Sequence, residues 1–195
     1  MGFRIETEPA AEPITLEEAK SHLRVTHDDE DAIIRIYLVS ARRWVEEYLH
    51  RALIDQVWEI TLDDFPLEIT LPLGRISAVA SIKYFDSSGI EQTLRGPTSG
   101  SPAGTDYQED LTSDEQARIS PPITSDWPQA QAHRLAAVTV QFTAGYGTKG
   151  SDLPASLLTG LLYRLTDLYE FRGATDGAGT ASAKLEIQQY RLREW

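Results

Sequence analysis

The chain has 195 residues, enough for one domain with a real core or for one domain plus an elaboration. It carries 18 Lys and Arg against 30 Asp and Glu, a formal net charge of -12, which opposes free-standing nucleic-acid binding because such affinity comes from neutralising phosphates. Cysteine is absent, which excludes disulfides, thiolate nucleophiles and zinc–thiolate sites, and no apolar run approaches the length of a membrane span.

The first thirteen residues are acidic and lack the basic-then-apolar plan of a signal peptide, so synthesis in the cytoplasm is expected. Thr15-Leu16-Glu17-Glu18 is a capping box, which opens a short helix predicted over 15–25. Asp28 to Asp31 opens a second helix, predicted over 28–53, because carboxylates suit the positive end of the helix dipole. Its apolar residues, among them Ile34, Leu38, Ala41, Val45 and Leu49, recur at helical spacing. From Gln56 the period changes to alternation: strands are predicted at 56–62, 69–71, 76–85 and 90–94, with a turn at Asp86-Ser87-Ser88-Gly89. Residues 96–105 read as a loop, 107–111 and 118–120 as short strands, and 137–144 as a strand with Val138, Val140 and Phe142 on one face. Leu153-Pro154 starts a last helix, predicted over 154–172, whose stripe is Leu157, Leu158, Leu161, Leu162, Leu165 and Leu168. The predicted fold is therefore α+β: one domain over 1–172, in which a small helical core holds an antiparallel β-rich insertion over about 56–146.

Residues 173–183 are Gly, Ala, Ser, Thr and Asp, too small to build a core of their own. Apolar character then returns with Leu185, Ile187, Tyr190, Leu192 and Trp195, interleaved with Lys184, Arg191 and Arg193. Residues 173–195 are thus expected as a flexible linker and an extended C-terminal docking tail, in which Leu185, Ile187, Tyr190, Arg191, Leu192 and Trp195 make the contact. The competing reading is a segment that folds back on its own domain.

No catalytic, cofactor or metal site stands out. Gly145-Tyr146-Gly147-Thr148-Lys149-Gly150 matches G-x-G-x-x-G, but a dinucleotide site needs a βαβ unit, and no second parallel strand follows the last helix. His27-Asp28-Asp29-Glu30-Asp31 precedes an apolar helical stripe, where the acids pair with the dipole more simply than with a cation. Trp44, Trp58 and Trp127 read as core or interface aromatics.

Pro13-Ile14-Thr15-Leu16-Glu17-Glu18-Ala19-Lys20-Ser21-His22-Leu23-Arg24-Val25, the acidic run 28–31 and the helix ending Tyr48-Leu49-His50-Arg51-Ala52-Leu53 resemble the opening of tailed-phage and gene-transfer-agent head–tail connector (adaptor, head-completion) proteins. The resemblance continues through Gln56-Val57-Trp58, Leu71-Pro72, Ile82-Lys83-Tyr84-Phe85-Asp86 and 140–147, and ends with the helix to Glu170. It implies a structural virion protein, not an enzyme, without cofactor or metal, at the neck of a particle. The implied partners are the portal protein, neighbouring copies in a ring of about twelve closed by heterologous contacts, a downstream neck or tail protein, and DNA that passes without specific binding; no membrane is implied. The C-terminal segment would dock on the portal. Two other readings stay open: a small nucleotide-using enzyme built on the 145–150 turn, and a free-standing protein-interaction adaptor.

Overall fold

Burial of two apolar helix stripes organises one part of the chain and strand alternation organises the other. The computed structural model describes residues 2–97, 105–172 and 178–192. The chain divides into two units, Met1–Glu8 with Asp55–Gly145, and Pro9–Ile54 with Tyr146–Trp195. The fold class is α+β, with antiparallel sheets.

The β unit holds β1 (Gly2–Thr7), β2 (Gln56–Leu62), β3 (Ile69–Leu71), β4 (Ile76–Phe85), β5 (Glu91–Leu94), β6 (Gln108–Asp110), β7 (Ala117–Ser120) and β8 (Val138–Ala144). One sheet has the order β1-β2-β8-β4-β5 and a smaller one the order β3-β7-β6. Strand β8 lies at the centre of the larger sheet, and its alternation is complete: Val138, Val140, Phe142 and Ala144 are all buried. The hairpin between β4 and β5 is fixed by Asp86, whose carboxylate accepts from the N–H groups of Ser88 (2.9 Å) and Ile90 (3.1 Å), while Gly89 takes a left-handed φ of 78°. Those bonds hold the Asp86 carboxyl below its usual range, together with the larger effect of the Gln92 amide.

Strand β1 was not legible from the sequence, where its charges dominate. It is an edge strand held from one side: Phe3 stacks on Trp58 at 4.5 Å, and Arg4 pairs with Glu59 at 2.8 Å.

The helical unit holds α1 (Leu16–Leu23), α2 (Asp31–Leu49), α3 (Ala155–Phe171) and α4 (Ala178–Ile187). The capping box forms as the sequence implies: the Glu18 N–H donates to Thr15 Oγ1 at 3.2 Å, and the Thr15 N–H donates to Glu18 Oε2 at 2.8 Å. Helix α2 is shorter than the predicted 28–53. His50 turns left-handed at φ 56°, and the chain leaves the helix to bury Leu53 and Ile54. The Leu53 N–H is met by the Glu46 carboxylate at 2.9 Å. Helix α3 likewise ends at a left-handed Arg172 rather than at Gly173, which lies outside the described residues. Ile34, Leu38, Val45 and Leu49 of α2 share one core with Leu157, Leu161, Leu165 and Leu168 of α3.

One titration reports on the β unit. Tyr107 is 3% exposed, and burial pushes its phenol from 10.0 up to about 12. The unfolded chain therefore ionises first. The contribution of Tyr107 to stability is complete below pH 10 and is lost as pH rises towards 12. Denaturant titrations across this range are expected to show that loss, and Tyr107→Phe is expected to diminish it.

Candidate functional site

Residues 178–190 form α4 and a following 3-10 turn, Gln188–Tyr190, rather than an extended tail. The physical reason lies in small residues on both helices, Gly160 of α3 and Gly179 of the expected linker. Where α3 and α4 meet, Gly160 leaves the space that Ile187 fills; a Cβ at 160 would collide with Ile187 Cγ2. Gly179 similarly admits Asp167 and the Tyr163 carbonyl. Small residues let two helices approach closely, and here they replace bulk with proximity. Residues 173–177 of the expected linker, and Trp195 of the expected contact set, lie outside the described residues.

The N-terminus of α4 is capped from another helix. Asp167 of α3 is 4% exposed, and its carboxylate accepts from Gly179 N–H (3.1 Å), Thr180 N–H and Thr180 Oγ1 (2.6 Å). A carboxylate at this position meets both the unpaired N–H groups of a first turn and the positive end of the helix dipole. Arg164 adds a bond from Nη1 to Thr180 Oγ1 at 2.7 Å.

The remaining expected contact residues separate into two sets. Ile187 is fully buried in the helical core and Leu192 is buried, its N–H donating to the Leu49 carbonyl at 3.0 Å. Tyr190 is half-buried; its hydroxyl bonds Ser156 Oγ at 2.9 Å, and its carbonyl accepts from Arg51 Nε. These three hold the segment to its own unit. Leu185, by contrast, is 69% exposed. Arg191 is exposed too, with its guanidinium 5.2 Å from the Tyr48 ring centroid.

That last contact belongs to a cluster absent from the sequence reading. Trp44 and Tyr48, one turn apart on α2, stack at 5.8 Å. Lys184 lies 5.6 Å from the Trp44 ring and Arg164 5.1 Å from it. Cations over aromatic faces are a surface form of attachment between the terminal segment and α2. The available signal was the coincidence of a W-x-x-x-Y spacing on a helix with basic residues in the tail, which does not specify a pairing.

The glycine turn is filled from within. Asp152 Oδ2 accepts from Lys149 N–H at 3.0 Å, and a Cβ on Gly147 would collide with the Asp152 carboxylate. A phosphate cradle needs such N–H groups open to an anion. The acidic run at 28–31 is engaged by Lys20, which reaches Asp28 and, at 2.7 Å, Asp31. Among the described residues, no group of three or more His, Asp or Glu is placed to hold a metal, and no helix is long and apolar enough to cross a membrane.

The profile of the phage gp6-like head-tail connector protein family matches residues 13–111. No curated protein matches the chain. Among solved structures, a chain in the neck of an empty GTA particle computed with C6 symmetry superposes with a TM-score of 0.80 at 21% identity, over 100% of this chain and 97% of that one. A chain in the virion of a native gene transfer agent (GTA) particle gives 0.80 at 22% identity with the same coverage. A third, from the neck of a native GTA particle computed with C12 symmetry, gives 0.76 at 20% identity, again with the same coverage. These likenesses establish a shared fold across the whole chain.

Replacing Gly160 tests the helix approach. Alanine would gain about 0.5–1 kcal/mol of helix propensity, against roughly 1–3 kcal/mol for overpacking a filled site. The steric loss wins, and wins by more for Gly160→Val. Both variants are expected to unfold at lower denaturant, with faster amide exchange across 178–190 than elsewhere in the helical unit.

Proposed function

The chain belongs to the phage gp6-like head-tail connector family, and we propose that it works as one copy of a ring in the neck of a phage-like particle. In this reading the ring sits beneath the portal, extends the DNA channel and presents its far side to the next neck or tail protein. The observation that carries it is the fold correspondence over the entire chain with chains of GTA necks and virions. The C12 symmetry of one of those necks supports a ring of about twelve copies, closed by heterologous contacts.

Charge fits the same role. A net charge of -12 per copy repels phosphates. A channel lined by such subunits lets DNA slide without sticking, since strong binding would need cations along its path. Catalysis has no part in this reading, and the internally filled glycine turn speaks against the nucleotide-using alternative.

Attachment to the portal is assigned to the C-terminal segment. Ile187, Tyr190 and Leu192 anchor it to its own helices. Leu185 and Arg191, both exposed, are the residues offered to the portal; Trp195, also expected in the contact, lies outside the described residues.

The test uses purified chain and purified portal rings. Subunits of like charge repel at low salt, and screening over about 8 Å at physiological ionic strength relieves only part of this. Light scattering of the chain alone at micromolar concentration is expected to give a monomer, and a closed ring only with the portal. Leu185→Ser is expected to leave thermal unfolding unchanged and to lower portal occupancy. A stable ring in low salt without the portal would contradict the electrostatic part; full occupancy by the variant would contradict the assignment of Leu185.

A further inference from the structure

The loops at one end of the larger β-sheet carry the three most exposed large hydrophobic side chains among the described residues: Leu67 (95%), Ile123 (92%) and Leu135 (81%). Strand register places the loops of Leu67 and Leu135 together, and Pro122, next to Ile123, lines a cleft with Tyr84 at the same end. Leu62 of β2 and Tyr84 of β4 both lie opposite Val138, at the start of β8. The loop after β2, the hairpin after β4 and the loop before β8 therefore leave the sheet at the same end. Ile90, 60% exposed, sits on that hairpin.

The loops are held firmly although their tips are bare. Phe65 stacks on Trp127 at 4.9 Å and meets Tyr84 edge-on at 5.5 Å. The Ala136 N–H donates to Asp63 Oδ1 at 2.8 Å, and the Gln131 N–H to the Phe85 carbonyl at 2.8 Å. The Arg134 guanidinium covers the Phe85 ring at 3.4 Å. Aliphatic tips on a braced frame lose little conformational freedom on docking, which favours binding. Scattered apolar residues need no explanation, but a group of this kind marks an interaction site.

The surrounding charge selects the occupant. Loops 63–68, 86–90 and 121–136 contain Asp63, Asp64, Glu68, Asp86 and Asp126, against Arg134 as their one Arg or Lys. A neighbouring cleft of about 360 Å³ is lined by Tyr84, Leu94, Pro122 and Pro128 together with Asp106 and Asp126. Asp106 there is already paired with Arg95 at 3.1 Å, so Asp126 is the carboxylate of the cleft that an incoming lysine or arginine side chain would meet. Nucleic acid is repelled by this surface, and a second copy meeting it face to face would set acid against acid.

We infer that this loop end of the β unit is the docking surface for a different protein, one that presents shallow apolar pockets rimmed by Lys or Arg. Given the connector reading, on which this rests, that protein is the component on the far side from the portal.

The experiment replaces the tips in the full chain, as Leu67→Asp with Leu135→Asp, and supplies it to particles that lack the native copy. Hot-spot truncation at two sites is expected to lower the yield of tailed particles at least about tenfold, with the variant still present on DNA-filled heads. Normal tailing would overturn the proposal. Loss of the variant from the heads would overturn it too, because the surface would then face the portal or a ring neighbour. Absence of the wild-type chain from heads would instead defeat the connector reading itself. Amide exchange on wild-type necks supplies a second measure that needs no variant. Residues 64–68 and 122–126 are expected to be protected in complete particles relative to tailless heads; equal exchange would overturn the proposal.

Discussion

Everything in the helical unit depends on the burial of the α3 leucine stripe against α2. Leu157, Leu161 and Leu165 have little apolar surface left to water, and Ile34, Val45 and Leu49 face them in the same core. Each such side chain contributes about 1.5–3 kcal/mol when fully buried. The two helices are separated in sequence by the whole β segment. Their packing therefore requires residues 54 and 146 to lie close together. The Tyr146 N–H donating to the Leu53 carbonyl at 3.0 Å closes that gap. Strands β2 and β8 leave it side by side, Gln56 opposite Ala144, so the insertion starts as a paired ladder. A long insertion of this kind costs little extra in loop entropy once its ends are fixed together.

The polar groups that accompany this core are few and committed. Arg42 is 2% exposed, yet its guanidinium meets Glu12 at 2.8 Å and Glu46 at 2.7 Å. Glu46 in turn receives the Leu53 N–H, so one buried charge network also fixes the exit of α2. Removing one partner of such a network leaves a charge buried without compensation, which is far worse than never having built it. Asp167 does the corresponding work for α4. The terminal segment of a connector subunit is thus both part of its own core and, through Leu185 and Arg191, a surface. The segment is already ordered by contacts within its own unit, so docking through it, as proposed, costs little further conformational entropy.

Much of the fold was legible because its signals are local. The capping box at Thr15, the leucine stripe of α3, the alternation of β8 and the Asp86–Gly89 turn each specify an element within a few residues. Strand β1 was not legible, because its Arg4 and Glu6 mask a strand that gains its partners only from β2. Helix α4 was misread for a different reason. Composition alone made Ala178-Gly179-Thr180-Ala181-Ser182-Ala183 a linker, whereas the cap on α4 comes from Asp167, and the room for Ile187 from Gly160, both on α3. The exposed tips at Leu67, Ile123 and Leu135 were equally invisible: apolar residues in a sequence read as core until register shows where they emerge. The family resemblance, carried by residues 13–25 and the elements after them, agrees with the profile match over 13–111.

The central claim is that this chain is a ring-forming subunit of a particle neck. A cryo-electron microscopic reconstruction of particles assembled with the chain, refined without imposed symmetry around the portal axis, tests it most directly. The account predicts a single ring of about twelve copies immediately below the portal. Density for the chain elsewhere in the particle, or complete necks formed without it, would contradict the account.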